Sequence, residues 1–348
     1  MFFFIMACLF ASFGYNVLSL SRYGWIPVAV MTAIALFCVA FMGIPRLFEL
    51  KMSKYAYACF ALSMYFAALL FIRDVLLALT DGFGKSYELP SLAAVALLTA
   101  VIGAVGVRNA VCVRTVRYNI PVKSPGIRRI GFFSDLHLGN VVGAAHTCRV
   151  AALLNDADCD VVIFGGDMFT GDPCAVRDRD DAAAALKTIH TRYGCFACRG
   201  NHDAESAVMT DFMRRAGIRL LVDAAVELEG LTFVFREDHR RQKFYGISQS
   251  ISDIVGKDCR SPLIVVDHEP NRMEEAVESG AALVLSGHTH AGQLFPANIL
   301  YRFMYKPSYG VYRKGDTYAV TSCGAGLWGP PMRTGSRSEI VIIELNNG

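Results

Sequence analysis

The chain has no long block of Lys or Arg, and its formal net charge is only +3 over 348 residues. A nucleic-acid partner, which needs dense phosphate neutralisation, is therefore not expected. It also lacks any regular cysteine spacing, although it contains eleven cysteines. An odd number scattered through apolar stretches excludes a disulfide framework and fits a reducing compartment. No Lys or Arg precedes the first apolar run, residues 2–20. A secretory leader would require one, so this run is expected to be retained.

What is abundant is apolar sequence, 53% of the chain. It is concentrated before about residue 113, in stretches 2–20, 25–43, 55–72 and 92–113. Each is near the ~20 residues needed to cross ~30 Å of hydrocarbon, so four transmembrane helices are expected over residues 1–115. The third stretch meets Arg73-Asp74 and then resumes as Val75-Leu76-Leu77-Ala78-Leu79. That pair marks either the membrane interface or a longer helix carrying both charges inward. Arg46, Lys51 and Lys54 separate spans two and three, and Arg108, Arg114, Arg117 and Lys123 surround the exit of span four. The opposite loops hold Arg22, Arg73 and Lys85 at most. By the positive-inside rule the remainder of the chain is expected in the cytoplasm, at an inner or cell membrane. Small residues in span four, among them Gly103 and Gly106, permit close helix packing.

Beyond this half the apolar runs become short and are divided by Gly, Asp and Arg. Residues 116–126, with Pro121 and Pro125, read as an extended linker, and a second domain is expected over 127–348. Short β-branched runs such as Val161-Val162-Ile163-Phe164 read as buried strands, and residues 144–155 and 177–191 read as helices between them. This alternation predicts an α/β sheet, whose ligands bind beyond the carboxyl ends of its strands. Five such runs each end at metal-ligating residue types: Asp135-Leu136-His137, Gly166-Asp167, Gly200-Asn201-His202-Asp203, His268-Glu269-Pro270 and Gly287-His288-Thr289-His290. Carboxylate, amide and imidazole suit Mn, Fe and Zn alike.

The chemistry follows from the ligand types. Asp167 is expected to bridge two divalent ions, with Asp135, His137 and His290 completing one shell and Asn201, His268 and His288 the other. Two ions ~3.5–4 Å apart clamp the attacking and leaving oxygens of an in-line phosphoryl displacement. His202 follows a ligand directly and is expected to protonate the leaving oxygen, with Asp203 orienting its ring. Gly166, Gly200 and Gly287 are expected to supply sharp turns after the strands.

In this order the five motifs resemble the calcineurin-like metallophosphoesterases, over roughly residues 127–348. The resemblance implies a four-layer α-β-β-α sandwich, a dinuclear centre bridged by Asp167, and hydrolysis of phosphate esters. Gly287-His288-Thr289-His290-Ala291-Gly292-Gln293 and Gly329-Pro330-Pro331-Met332-Arg333 are similar to the membrane-anchored YkuE/YaeI-like branch. That branch implies lipid phosphate substrates, UDP-diacylglucosamine among them. Ala291 stands where the branch often has Gly.

Other features have competing readings. Cys195 and Cys198 form a C-x-x-C, which is expected to be a pair of buried structural thiols. Asp172 is a candidate neighbour of the ligands, and Trp328 and Arg333 are candidates to line the cleft. His146, His190 and His239 lie outside the motifs and read as ordinary surface or helix residues. Residues 294–305 are rich in apolar and aromatic side chains, which suit either a packed loop or contact with lipid. The expected activity is phosphohydrolysis at a bilayer surface. The alternatives are a phosphodiesterase for soluble nucleotides and a transport or signalling protein with a metal-sensing domain. The spans carry no clear polar pathway beyond Arg73-Asp74, which disfavours the last.

Overall fold

The structure is a computed structural model that describes residues 2–44, 52–80, 87–203, 205–240, 246, 249–256 and 261–346. It divides into two units, Met1–Arg108 with Gly329–Thr334 and Asn109–Trp328 with Gly335–Gly348. The first is helical. Its helices are α1 (Phe2–Leu20), α2 (Trp25–Gly43), α3 (Ser53–Leu79) and α4 (Glu88–Val111). Among the described residues α2, α3 and α4 are long and apolar enough to cross a membrane, with mean hydropathies of 2.3, 1.9 and 2.1. The first expected span forms α1, 19 residues long. Leu9, Phe13, Cys38, Ala56 and Phe60 make the apolar centre of this unit.

The third helix is longer than the sequence pattern suggests, because it continues through Arg73 and Asp74 to Leu79. Neither charge breaks it, since both are paired laterally. Arg73 donates to Ser91 Oγ at 2.9 Å, Asp74 Oδ1 at 2.8 Å, Tyr23 OH at 2.8 Å and the Glu88 carbonyl at 2.9 Å. Asp74 also accepts from Tyr15, Ser19 and Arg22 at 2.9, 2.6 and 2.8 Å. The partners come from the last turns of α1, the turn after it and the first turn of α4. This places the charges at one end of the bundle, as an interfacial pair would be. Arg46, Lys51 and Lys85, which carry part of the orientation reading, lie outside the described residues.

Gly329–Thr334 belongs to the helical unit although the sequence reading assigned it to the second domain. The Arg333 N–H donates to the Gly106 carbonyl at 2.8 Å, and a Cβ on Gly106 would press on the Met332 side chain. Arg333 is fully buried.

The second unit has two six-stranded sheets. One has the order β1 (Arg114–Ile120), β12 (Glu339–Leu345), β2 (Arg129–Phe133), β3 (Val161–Phe164), β4 (Cys195–Ala197), β5 (Ile218–Leu220). The other has the order β10 (Gly310–Lys314), β11 (Thr317–Thr321), β9 (Ala281–Ser286), β8 (Leu263–Val266), β7 (Leu231–Phe235), β6 (Ala224–Leu228). Residues 114–120, most of them read as linker, thus form a strand, paired in parallel with β12. Pro121 ends it, since a residue without an N–H does not extend a ladder.

The alternation of each strand sorts its side chains into layers. Ile130 and Phe132 of β2 join Phe233, Phe235, Ile264, Val266, Leu283 and Leu285 in a core between the sheets. Phe133, Val162 and Phe164 point the other way, onto α5 (Ala144–Asp156), α6 (Arg179–Lys187) and α7 (Ala207–Arg215). On the far side Val234, Val265 and Val284 meet α8 (Ile251–Val255) and α9 (Met273–Glu278). Helices, sheet, sheet, helices is the four-layer architecture expected from the resemblance. Strands β2 to β5 are parallel, as are β7, β8, β9 and β11.

Phe132 is fully buried between the sheets. Its replacement by Ala is expected to cost about 3–5 kcal/mol, measured as a loss of unfolding free energy of the second unit in denaturant titrations of the detergent-solubilised protein. A cost under ~1 kcal/mol would show that the inter-sheet core is not what holds this unit together.

Candidate metal centre

The five motifs do not lie along one sheet. Loops after β2, β3 and β4 of the first sheet meet loops after β8 and β9 of the second, all leaving the carboxyl ends of parallel strands. Two ligand groups result. Asp135, His137 and His290 form one, and Asp167, His268 and His288 the other; within each group the donor atoms lie within 4.8 Å of one another. His137 Nε2 is 3.1 Å from His290 Nε2 and 4.0 Å from Asp135 Oδ1. One carboxylate stands between the groups, because Asp167 Oδ2 is 3.2 Å from His268 Nε2 and 3.6 Å from His137 Nε2.

The backbone shows how hard these residues are turned inward. Asp135, His137, Asp167, His288 and His290 all have positive φ, between 47° and 68°. A non-glycine residue there costs roughly 1–2 kcal/mol. Such outliers collect where function imposes a geometry. The glycines before the ligands do not all serve the expected turn. Gly166 does, with φ 90°. Gly200 and Gly287 instead supply room: a Cβ on Gly200 would collide with the Asp167 carboxylate, and one on Gly287 with the Asp135 carboxylate and the Ser134 hydroxyl.

Several groups hold the ligands from behind. Asp203 accepts from the N–H groups of Asp167, Met168, Phe169 and Gly200, at 2.7, 2.8, 3.4 and 3.0 Å. It thereby ties the β3 loop to the β4 loop. The sequence suggested a partner for His202; these four bonds make Asp203 first a positioning residue for Asp167. His268 donates from Nδ1 to the Gly165 carbonyl at 2.7 Å, which turns Nε2 toward Asp167. Ser134 Oγ donates to Asp135 Oδ2 at 2.5 Å, and Asp135 also accepts from the His288 N–H. Behind His268, Arg272 grips Asp267 with two hydrogen bonds of 2.6 and 2.7 Å.

Electrostatics follow from this burial. Burial pushes the Asp135 carboxyl up to about 6, with His268 opposing and Asp167 assisting. It would raise Asp167 too, but His268 above all, with His137 and His202, holds that carboxyl well below the usual range. Burial works against a charged His268, yet Asp167 and Asp135 hold the ring well above its ordinary value. His288 is pushed down to about 3, by burial and then by the His268 charge. Burial and the Asp167 charge push Asp203 up to about 7.

The donor set fits divalent cations. Among the described residues, buried Asn201 Oδ1 has no hydrogen-bond partner, and buried His268 Nε2 has nothing beyond its 3.2 Å approach to Asp167 Oδ2. A buried polar atom left so costs about 1–3 kcal/mol. A cation would satisfy both and replace the protons that the buried acids and imidazoles otherwise share.

His202 lies at the centre, its N–H donating to Asp167 Oδ1 at 2.8 Å and its ring 5.3 Å from that of His137. Trp328, a candidate for the cleft, has its ring 6.3 Å from His202. Asp172 caps a local turn by accepting from the Cys174 N–H at 2.8 Å. His146 lies in α5, buried, and donates from Nε2 to the Ala325 carbonyl at 2.7 Å. Cys198 is buried as expected but Cys195 only partly; both carry free thiols that burial pushes up, Cys195 to about 11 and Cys198 further.

Three groups escaped the sequence reading. Arg240 lies 2.7 Å from Glu269 and 3.3 Å from His288 Nε2, while Tyr305 sets its ring 5.9 Å from that of His288. Glu269 itself is buried within a motif, 3.4 Å from His288. Only its place beside His268 signalled it; Tyr305 closes the aromatic stretch 294–305, and Arg240 follows no motif.

Residues 128–292 match the family described as calcineurin-like phosphoesterase. With the fold and the ligand groups above, they constitute a calcineurin-like metallophosphoesterase domain. Its relatives include a transmembrane protein with metallophosphoesterase domain from Danio rerio, 32% identical over 278 residues, which cover 72% of this chain and 61% of that protein. An uncharacterised metallophosphoesterase of Helicobacter pylori strain J99 is 28% identical, covering 62% and 59%. The uncharacterised metallophosphoesterase YkuE of Bacillus subtilis is 25% identical, covering 62% and 78%. The chain thus spans about three fifths of the first two relatives' length. A 5'-nucleotidase precursor from Thermus thermophilus aligns with a TM-score of 0.35 at 13% identity, covering 63% of this chain and 56% of that one. At that distance the likeness says nothing of substrate.

Asp203 gives the sharpest test of the supporting shell. Asp203→Ala is expected to weaken metal binding by about 10–100-fold, read by titrating metal into stripped full-length protein. Unchanged affinity would mean that the β3 loop holds Asp167 without it.

Proposed function

We propose that the chain is a membrane-anchored phosphohydrolase whose site holds two divalent ions, Mn, Fe or Zn. Asp135, His137 and His290 hold one, Asn201, His268 and His288 the other, and Asp167 serves both. The observation that carries this is Asp167 Oδ2, within 3.6 Å of His137 Nε2 and 3.2 Å of His268 Nε2. When bound, such ions supply Lewis-acid stabilisation of phosphoryl oxygens and a nucleophile at neutral pH.

The chain's own residues do the remainder. His202, whose backbone N–H is held on Asp167, delivers a proton from its ring to the leaving oxygen. Asp203 keeps Asp167 and the β4 loop in register. Trp328 walls the site beside His202 and keeps bulk water from the reacting bond. Arg240, more than half exposed beside His288, offers its guanidinium to a substrate phosphate.

The substrate is read as a phosphate ester or pyrophosphate on a lipid or close to a bilayer, since a membrane anchor gives no evident advantage with a soluble ester. The anchor is read as four spans, α1 to α4, with the catalytic unit in the cytoplasm at the cell membrane. The loop charges support that orientation. A soluble-nucleotide phosphodiesterase is the second reading, for which the anchor fixes location only.

The test is a hydrolysis screen of full-length protein in Mn against lipid pyrophosphates, UDP-diacylglucosamine among them, and soluble phosphodiesters. Asp167→Ala is expected to abolish turnover, and His202→Gln to lower kcat by about 10²–10⁴ with metal content retained. Cleavage of soluble esters alone would overturn the bilayer substrate. Full activity of Asp167→Ala would overturn the metal mechanism.

A further inference from the structure

One apolar surface in the catalytic unit is absorbed neither by its cores nor by the metal centre. It begins just after the last ligand loop, at Phe295, and continues along α10 (Ala297–Met304), none of whose residues is buried. Phe295, Ile299, Leu300, Phe303 and Met304 are 52, 48, 59, 79 and 58% exposed. The pairs 299/303 and 300/304 are one helical turn apart, so the four side chains share one face. Ala297, Asn298 and Tyr301 lie partly buried on the other. A soluble surface rarely exposes so many large apolar groups together.

The chemistry of the face indicates which partner. Arg302 and Lys306 are exposed beside it. Phe, Leu, Ile and Met on one side of a short helix with cations at its flank suit an acyl boundary lined by anionic headgroups. The chain also brings its own membrane within reach. Helix α4 ends at Val111 and β1 starts at Arg114. The intervening residues 112 and 113 extend ~7 Å at most.

We infer that Phe295 and the exposed face of α10 form a bilayer-docking surface of the catalytic unit, which seats in the headgroup–acyl boundary of the membrane crossed by the chain's own helices. This rests on the membrane-anchored reading above and deepens it. The face is continuous with the site: the Tyr301 ring is 5.7 Å from that of Tyr305, which is 5.9 Å from His288. A lipid phosphate at the boundary is thereby brought beside the metals without its acyl chains leaving the bilayer.

The test uses full-length protein in nanodiscs of phosphatidylcholine and phosphatidylglycerol containing a lipid with a photoreactive acyl chain. Adducts are mapped by mass spectrometry. Adducts are expected on the 295–304 peptide, and Leu300→Asp with Phe303→Asp is expected to reduce them at least 5-fold. Phe303→Leu is expected to retain them. Metal content serves as the folding control, because both side chains are mostly exposed, and Phe303→Ser provides a milder variant. Adducts confined to α2, α3 and α4, or unaffected by the double substitution, would overturn the docking surface. So would chain-to-chain crosslinks through this segment, which would assign the face to a second copy. If adducts form as expected while no lipid phosphate is hydrolysed, the docking surface stands and the substrate reading alone falls.

Discussion

The site depends on one constraint: two sheets packed face to face must end their parallel strands at the same place. The inter-sheet core of Ile130, Phe132, Phe233, Phe235, Ile264 and Leu285 sets that alignment. Only then do loops from β2, β3 and β4 meet loops from β8 and β9. Within the junction the Asp203 carboxylate is the local fastener, holding N–H groups of two successive loops at once. Remove the packing and the two ligand groups separate; remove the fastener and Asp167 loses its place between them.

Much of this was legible because metal chemistry demands particular residue types immediately after strands. Asp135, His137, Asp167, His268, His288 and His290 could be named from their order alone, and the structure brings them together in two groups. The roles of their neighbours were harder. Asp203 reads in sequence as a partner for the adjacent histidine, and its bonds to backbone groups 35 and 36 residues away are not signalled there. Such bonds leave no periodic trace. Gly200 and Gly287 look like turn formers, whereas what matters is the carboxylate that stands where a Cβ would be. Nothing local distinguishes the two uses of glycine.

The same limit explains the differences in the helical unit. Hydropathy ends the third span at Arg73 because a charge in isolation is costly in hydrocarbon. The structure continues the helix because Tyr23, Ser91 and Glu88 converge on that guanidinium from other segments, with Asp74 beside it on the same helix. Likewise residues 329–334 carry no apolar run of membrane length, and contacts with distant helices, such as the hydrogen bond from the Arg333 N–H to the Gly106 carbonyl, show their place. In both cases the decisive partner is distant in sequence.

The strained ligands complete the physical picture. Asp135, His137, Asp167, His288 and His290 sit in left-handed backbone, at a combined cost of roughly 5 kcal/mol even at the low end of the range. That is comparable with the whole net stability of an ordinary domain, about 5–15 kcal/mol. Asp and His tolerate this region better than branched residues, which is one reason that these types rather than others can occupy the turns. The remainder is offset by three apolar cores and by backbone bonds such as those to Asp203. Cations bound to both groups would add to this, because the converged set of donors exists only in the folded arrangement. The metals would then be part of what keeps the loops in the shape that binds them.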